Sequence, residues 1–305
     1  MKLTIFTPTY NRAYTLGRLY NSLKEQKKYE FEWIIVDDAS TDNTTELVND
    51  FKADCNEFDI IYVKQTHGGK HRAINKALDI AKGEFFFIVD SDDYLTDDAV
   101  EKILLWIESI KNNKNIAGVS GLRVYPDNSA IGGMPKCNEN SYIDASNFER
   151  GKYNLLGDKA EIYKTDIMRK NKFPEFEGEY FVTEGVCWNA IAAEGYKVRW
   201  FNTPIYVCDY LEDGLTKTGA NSIEGHRKNI KGYCYFIKQS IKIFPLKEKL
   251  IYINSYSSVM KQLNITSSDA ANYINMKYIP YISLKGTSAV LLHLVKIKNK
   301  LKYKY

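Results

Sequence analysis

The sequence predicts an α/β fold with a doubly wound, mainly parallel sheet flanked by helices and followed by a helical C-terminal region. Short apolar runs of strand length alternate with segments of helical spacing, and the links between them are short. In addition, three of the apolar runs end in polar or charged clusters. Strands that alternate with helices form parallel sheets, whose carboxyl ends share one edge.

The predicted strands and helices follow one another in regular order. The apolar runs lie at residues 3–6, 31–36, 60–63 and 85–89. The helical segments between them are 18–24, a helix that begins at the Ser-Thr-Asp sequence of residues 40–42, and 73–81. Helical spacing returns at 229–243, 246–262 and 267–274, which predicts a small helical appendage.

Charge is distributed unevenly along the chain, although the net charge is only +4. From residue 213 onward there are 16 Lys and Arg against 4 Asp and Glu, whereas residues 1–212 carry 26 against 34. This asymmetry favours an acidic catalytic part that uses a metal and a basic part that attaches to something anionic. The Lys-rich end, KIKNKLKYKY, is consistent with a disordered tail drawn to anionic lipid and equally with a solvated terminus.

Composition argues against several classes of protein. The five Cys show neither CxxC nor Cys/His spacing, which favours a reducing compartment and argues against a zinc site. Met1 leads directly into a strand, so no signal peptide is expected. No apolar run approaches the ~20 residues of a membrane span. We therefore expect a cytoplasmic protein.

The stretch 83–93, GEFFFIVDSDD, joins a strongly apolar strand to an acidic cluster. Asp90, Asp92 and Asp93 crowd three negative charges together just beyond the carboxyl end of the strand, where open α/β sheets bind ligands. Carboxylate oxygens suit Mg²⁺ or Mn²⁺, which usually share their coordination shell with substrate phosphates. A solvated acidic turn is the alternative, since Asp and Ser are ordinary turn residues.

Two further strand ends and one basic loop are expected to converge on this cluster. TPTYNR ends the first strand, VDDAS ends the second, and HGGKHR precedes the helix at 73–81. Gly68 and Gly69 let the backbone approach a phosphate, and Lys70 and Arg72 can contact diphosphate oxygens. A merely solvated loop is the alternative. The chain has neither a GxxxxGK[ST] loop nor a GxGxxG after its first strand, so a dinucleotide site is not expected.

Together, TPTYNR, IIVDDASTDNT, HGGKHRAINKAL and GEFFFIVDSDDYL resemble the motifs of the inverting, metal-dependent family 2 glycosyltransferases, in the same order and at similar separations. The resemblance implies the GT-A nucleotide-sugar fold and covers about residues 1–212. That part comprises a nucleotide-sugar-binding half, 1–100, and an acceptor half, 101–212, which contains GDKAEIYKTD and FPEFEGEYFVTEGVCWNAIA. Residues 213–305 form the basic, mainly helical region beyond it.

The resemblance assigns nucleotide contacts to the ends of the first two strands. Thr7, Tyr10 and Arg12 would hold the nucleotide, with Tyr10 available to stack on the base. Asp38, with Asp37 beside it, would accept a hydrogen bond from uracil, which implies a UDP-sugar donor.

The acidic cluster and the basic loop would serve a divalent cation and the diphosphate. Asp90-Ser91-Asp92 would be the DxD motif, with Asp90 and Ser91 on the nucleotide side and Asp92 as the direct metal ligand. Asp93 is the alternative ligand, since members of the family differ in this respect. The implied cofactor is Mn²⁺ or Mg²⁺. The residues assigned to the diphosphate are Lys70 and Arg72.

The catalytic base implied by the resemblance is Glu184. The family pattern here is often Glu-Asp with the second residue as base, whereas this chain has Gly185 in the second position, so the role passes to the Glu. A structural carboxylate at the N-terminus of a helix is the alternative interpretation. The other nearby candidates for the base are Glu179, Glu177 and Glu161.

The implied function is inverting transfer of a sugar from a UDP-sugar to an acceptor hydroxyl in bacterial surface or capsular polysaccharide synthesis. The acceptor would be a saccharide or lipid-linked saccharide, with peripheral contact at the inner face of an anionic membrane. Two alternatives stay open: a sugar-nucleotide pyrophosphorylase, although its Gly-rich GxGxR loop is absent, and a non-catalytic membrane-binding protein. No nucleic-acid-binding motif is present in the sequence, so nucleic acid is not an expected partner.

Overall fold

The computed structural model describes residues 1–138, 141–209, 219 and 222–302, with side chains as far as residue 290. The chain forms two compact units. The sheet unit comprises Met1–Pro174 and Cys187–Thr218, and the helical unit comprises Glu175–Val186 and Gly219–Tyr305. The predicted boundary between residues 212 and 213 lies outside the described residues. Segment Glu175–Val186, which the sequence prediction assigns to the acceptor half, groups with the C-terminal helices instead.

The described part of the sheet unit contains one sheet of nine strands in the order β3-β2-β1-β4-β8-β6-β9-β5, with β7 paired to β9. The first four strands pair in parallel, β6 pairs in parallel with β9, and β8 is antiparallel to β4 and β6. The strands are β1 (Leu3–Thr9), β2 (Phe31–Asp37), β3 (Asp59–Lys64), β4 (Phe85–Ile88), β5 (Tyr94–Leu95), β6 (Ile116–Val124), β7 (Tyr142–Ala145), β8 (Lys159–Lys164) and β9 (Lys197–Val207).

Burial on both faces explains why the first strands are continuous apolar runs. All seven residues of β2 are buried, as are all four of β4. Around β2, Trp33 packs against Tyr20 and Phe51, which stack on each other, with ring centroids 6.2 Å from each. Side chains on both sides of the sheet therefore replace the polar face that an exposed strand would show.

The helices of the sheet unit follow the predicted alternation. The helices up to residue 193 are α1 (Ala13–Lys24), α2 (Thr44–Asp54), α3 (Lys70–Ile80), α4 (Ala99–Ile110), α5 (Thr165–Lys170) and α6 (Gly185–Ala193). Helix α3 begins three residues before the predicted 73–81, because its first turn, Lys-His-Arg, carries no apolar periodicity. The predicted α/β sheet flanked by helices is confirmed, and its described strand pairings are divided equally between parallel and antiparallel.

The helical unit contains α7 (Ile223–Lys228), α8 (Ile230–Ile243), α9 (Leu246–Gln262), α10 (Ser267–Tyr273) and α11 (Tyr278–Lys302). The three predicted C-terminal helices coincide with α8, α9 and α10 to within one residue at each end. Its core is built around buried Tyr256, whose hydroxyl donates to the Ala270 carbonyl at 2.7 Å.

The Lys-rich end departs from one sequence interpretation. Helix α11 continues to Lys302, so the interpretation of this segment as a disordered tail is wrong as far as that residue, and residues 303–305 lie outside the described part. Across the described residues, no helix combines the length and apolar character that a membrane crossing needs.

Candidate active site

The parallel pairing brings three polar strand ends to one edge of the sheet. The backbone N–H of Asp38, just past β2, donates to the Thr9 carbonyl at 2.8 Å. On the other side of β1, the Val89 N–H donates to the Phe6 carbonyl at 2.8 Å. The loops that follow β1, β2 and β4 therefore begin side by side, as their sequences predict.

Asp38 holds the basic loop against the sheet. The residue is only 5% exposed. Oδ1 accepts from the Gly68 N–H at 2.7 Å and from the Gln65 amide at 2.8 Å, and Oδ2 accepts from the Gly69 N–H at 2.8 Å. The His67 Nδ1 atom lies 2.9 Å from Oδ2. Three hydrogen bonds and the His67 ring thus surround a carboxylate that offers about four acceptor sites, and the contact of Asp38 with uracil stays a prediction.

Asp37 is fully buried beside it and organises the turn after β2. It accepts from the Ser40 N–H at 2.7 Å and from the Tyr62 hydroxyl at 2.5 Å. Burial and this hydrogen bond raise the pKa of Tyr62 to about 12. The ammonium of Lys64 lies 3.8 Å from the same carboxylate. These partners give Asp37 a structural task in the turn.

The predicted nucleotide residues of the first strand differ in exposure. Thr7 is fully buried, and its hydroxyl accepts from the Trp33 indole N–H at 2.9 Å, so its side chain is engaged in the core. Tyr10 is 47% exposed and stacks on His67 with ring centroids 4.7 Å apart. The guanidinium of Arg12 lies 5.6 Å from the Tyr14 ring centre. Their roles toward a nucleotide remain predictions.

Two cationic side chains lie close to the acidic cluster that follows β4. The ammonium of Lys70, the first residue of α3, lies 2.5 Å from Asp90 Oδ1. Arg123 of β6 lies 3.7 Å from Asp90 Oδ2 and 4.0 Å from Asp93 Oδ2. Burial alone would raise the pKa of Asp90, but the charges of Lys70 and Arg123 hold it below its ordinary value.

Asp93 and Asp92 sit in different surroundings from Asp90. The Tyr206 hydroxyl donates to Asp93 Oδ2 at 2.7 Å, and the Asp209 N–H donates to Oδ1 at 3.2 Å. Burial and the charge of Asp90 raise the pKa of Asp93 to about 7 and also raise the pKa of the half-buried Asp92. Ser91 between them is buried. The residues in this cluster that sequence reasoning missed are Arg123 and Tyr206.

The candidate base Glu184 belongs to the helical unit and immediately precedes α6. A Cβ atom at Gly185 would lie 3.2 Å from the Phe236 ring, so a side chain there would press on that ring. The Gly185 backbone is thus closely packed against Phe236.

Two of the alternative bases are committed to structural partners. Glu179 is buried and accepts from the N–H groups of Lys231 and Gly232 at 2.7 and 2.8 Å, which caps α8. In the sheet unit, Glu161 lies 3.4 Å from Arg150, with its side chain 8% exposed. Glu177 is exposed.

Fold and site together define a GT-A type of nucleotide-binding α/β protein. The model of the family "Glycosyl transferase family 2" matches residues 4–160, more than half of the chain. The chain belongs to this family.

Several relatives match parts of the chain. The poly(ribitol-phosphate) beta-N-acetylglucosaminyltransferase TarS of Staphylococcus aureus is 36% identical over 110 residues, which is 35% of this chain and 19% of TarS. The chondroitin synthase of Pasteurella multocida is 36% identical over 131 residues, 42% of this chain and 13% of that protein. A beta-1,3-glucosyltransferase of Campylobacter jejuni, acting on GalNAc(5)-diNAcBac-PP-undecaprenol by its name, is 25% identical over 193 residues, 61% of this chain and 58% of its own length. The matches thus span less than two thirds of these relatives.

Solved structures extend the likeness of the fold to nearly the whole chain. S. aureus TarS 1–349 in complex with UDP-GlcNAc has a TM-score of 0.58 at 20% identity and covers 94% of this chain and 91% of its own. The mannosyltransferase PcManGT from Pyrobaculum calidifontis, in complex with GDP-Man and Mn²⁺, has a TM-score of 0.54 at 18% identity, with 95% and 85% covered. The GT-A fold expected from the sequence is confirmed.

Replacing Asp38 by Asn tests its hold on the loop. The amide would turn an N–H group toward backbone N–H donors and remove the charge that they stabilise. We expect a loss of unfolding free energy of ~2–4 kcal/mol without nucleotide, because hydrogen bonds to a charged group contribute ~1.5–3 kcal/mol each. Thermal or urea unfolding measures it, with exposed Asp50→Asn as control. Unchanged stability with weaker UDP binding would instead favour direct contact with the base.

Proposed function

We propose that this chain is an inverting glycosyltransferase that moves a sugar from a UDP-sugar to an acceptor hydroxyl during synthesis of a bacterial surface polysaccharide. The observation that carries the proposal is the convergence of three strand ends and a basic loop at one sheet edge. There Lys70, at the N-terminus of α3, faces the DxD carboxylate of Asp90 at 2.5 Å. Helix N-termini with a nearby cation favour phosphate.

Three observations support the proposed donor site. Exposed Tyr10 and its stacking partner His67 offer an aromatic surface to a base. The N–H groups of Gly68 and Gly69 bind Asp38, so the positive charges of Lys70 and Arg72 are the groups of this loop that we assign to the phosphate oxygens. TarS, whose structure covers nearly all of this chain, was solved with UDP-GlcNAc. Uracil selectivity through Asp38 belongs to the same proposal.

A divalent cation, Mn²⁺ or Mg²⁺, fits the acidic cluster only if the phosphates of the donor supply some of its ligands. Within the described residues, no three His, Cys, Asp or Glu side chains are arranged to hold a metal. Mg²⁺, however, usually takes one or two carboxylates and completes its shell with substrate phosphates and water. Asp92, or Asp93 in its place, would hold the ion, which supplies positive charge to the departing diphosphate. The fold neighbour PcManGT was solved with Mn²⁺.

We assign the remaining chemistry to three residues of the chain, Lys70, Arg72 and Glu184. Negative charge grows on UDP as the anomeric bond breaks, and the positive charges of Lys70 and Arg72 stabilise it. Glu184 accepts the proton of the acceptor hydroxyl as that oxygen attacks from the opposite face, which inverts the anomeric configuration.

Metal dependence is tested by calorimetry of UDP with and without Mn²⁺. We expect Mn²⁺ to strengthen UDP binding and Asp92→Asn to remove most of that gain, by ~10-fold or more, because one carboxylate ligand becomes a neutral amide. UDP binding without metal should change little. The control is exposed Asp97→Asn. A full Mn²⁺ effect in Asp92→Asn would transfer the ligand role to Asp93.

Glu184→Gln tests the base, since it keeps the shape of the side chain and removes the proton acceptor. Transfer to acceptor should fall by ~10²-fold or more, while UDP affinity and melting temperature stay at wild-type values. UDP release with and without acceptor measures the rate, and Glu177→Gln in the same segment is the matched control. A stable Gln variant with near-normal turnover would exclude Glu184. Formation of UTP from pyrophosphate and UDP-sugar would indicate a pyrophosphorylase instead.

Peripheral contact with an anionic membrane is the second part of the proposal. One side of α11 exposes apolar residues to solvent, with Ile279 79% and Val290 61% exposed, while Tyr281 on the other side is buried. The chain from residue 213 onward carries a large excess of Lys and Arg. An apolar helix face in a basic region suits an anionic lipid surface.

Sedimentation with anionic liposomes tests this contact. We expect Ile279→Ser with Ile282→Ser, and separately deletion of residues 296–305, to reduce binding while soluble turnover is unchanged. Ser283→Ala on the same helix is the control. Screening of charges is weakest at low ionic strength. If the wild-type protein does not bind anionic liposomes under that condition, the contact is excluded.

A further inference from the structure

The loops that follow β1 and β2 are tied together by hydrogen bonds that run in both directions. The backbone N–H of Asn11 donates to Ser40 Oγ at 2.8 Å. In return, Asn11 Oδ1 accepts from the Thr41 N–H at 2.8 Å and, more weakly, from the Asp42 N–H at 3.4 Å. We call these contacts between Asn11 and the three residues of the second loop the loop clasp. The family resemblance assigns none of these four residues to the nucleotide.

The loop clasp is anchored at the sheet on one side and at helix α1 on the other. The Ser40 N–H donates to buried Asp37 at 2.7 Å, so the residue that accepts from Asn11 is itself fixed at the end of β2. At the other end, Asp42 Oδ2 accepts from the Ala13 N–H at 3.1 Å, which satisfies one of the backbone donors that the first turn of α1 leaves open. The second loop therefore fixes the turn from β1 into α1 at two points.

Both loops of the clasp contain a residue in the left-handed backbone region. Among the described residues, six that are not Gly have a positive φ, and five of them are Asn, whose short polar side chain tolerates this region. Asn11 is one of the five, with a φ of 52°, and the sixth residue is Ala39, with a φ of 71°, directly before Ser40. Such conformations persist where the surrounding structure holds them, and they are concentrated at functional sites. Their occurrence in two hydrogen-bonded loops indicates a backbone path that the site requires.

Tyr10 is the functional candidate that lies next to the clasp. Its ring is exposed on the side away from the core and stacks on His67 with centroids 4.7 Å apart. The planar peptide group that carries the Asn11 N–H also contains the Tyr10 carbonyl, so the hydrogen bond to Ser40 fixes the orientation of that group. A side chain that must be ordered when a ligand arrives weakens binding. Because the clasp fixes the backbone from which the ring projects, part of this ordering is already complete in the free protein.

We infer that Asn11 is a positioning residue, which holds Tyr10 as the stacking surface for the nucleotide base through the loop clasp. The inference rests on the proposed function and adds a residue that acts on the donor through another side chain. The role requires two properties of Asn, an acceptor oxygen and tolerance of a positive φ. Substitution separates the two, because Gly keeps only the tolerance of a positive φ, whereas Asp keeps both properties.

Calorimetry of UDP binding to the full chain tests the inference at both loops. We expect Asn11→Gly to weaken UDP binding by ~5-fold, because Tyr10 must then be ordered as the nucleotide binds. Asn11→Asp should bind UDP nearly as the wild type does. Ser40→Ala removes the acceptor on the other side of the clasp and should lose about as much affinity as Asn11→Gly. The matched control is Asn264→Gly, the same exchange at an exposed residue of the helical unit with a φ of 58°, which should leave UDP binding unchanged.

A double-mutant cycle separates positioning from a general loss of stability. In a Tyr10→Ala background the ring that Asn11 positions is absent, so Asn11→Gly should lower UDP affinity no further. A loss of affinity that comes only from a looser fold would be the same in both backgrounds. Steady-state transfer gives an independent readout, since Asn11→Gly should raise the donor KM and leave kcat at saturating donor near the wild-type value.

The possible outcomes distinguish the inference from the proposed function. Wild-type affinity in Asn11→Gly, equal losses in Asn11→Gly and Asn11→Asp, or additive effects with Tyr10→Ala would overturn the inference and leave the transferase function standing. If Asn11→Gly does not fold, Ser40→Ala replaces it in the cycle. The expected pattern of UDP binding without any sugar transfer would support the inference and remove the transferase function. If the wild type does not bind UDP, both are overturned.

Discussion

The carboxylate of Asp38 is the interaction on which the donor edge depends. A buried ionised carboxylate is costly unless hydrogen bonds replace its water, and here the basic loop supplies them. Gly69 adopts a positive φ of 88° as it enters α3, a conformation that disfavours a side chain. The loop can therefore turn its N–H groups toward the sheet and still begin a helix at the next residue. Sheet, loop and helix N-terminus become one rigid piece.

This arrangement also controls the charges of the acidic cluster. Because α3 begins at a fixed place, Lys70 meets Asp90, while Arg123 approaches the cluster from β6. Arg123 also lies over the Tyr206 ring at 4.2 Å, and the Tyr206 hydroxyl in turn donates to Asp93. Internal cations thus stabilise Asp90 as an anion, whereas Asp93 lies where burial and the neighbouring charge favour its neutral form. The pKa values of Asp90 and Asp93 shift in opposite directions because the surroundings of the two carboxylates differ, although the residues are close in sequence.

The parts of the fold that follow from local pattern were predictable. The apolar runs became β1 to β4, and helical spacing located α8 to α10 closely, since periodicity and burial act over a few residues. Arg123 and Tyr206 were not predictable as members of the cluster, because antiparallel and crossover pairings bring them there from far along the chain. Thr7 matched the family motif, yet its hydroxyl holds Trp33 in the core. The sequence therefore identifies which residue types lie at the strand ends, but it does not identify the residues of other elements that contact them.

Domain organisation could also be predicted from the sequence only in part, as the segment before α6 shows. Its sequence resembles the acceptor-side motifs, and that resemblance is the basis of the predicted boundary near residue 212. Its hydrogen bonds, however, go to α8 and the residue before it, about 50 positions away, through Glu179 and Asn229. Gly185 packs closely in the same place, since an added Cβ would lie 3.2 Å from the Phe236 ring. With Gly at position 185, Glu184 is the carboxylate of that pair, and it belongs to the helical unit.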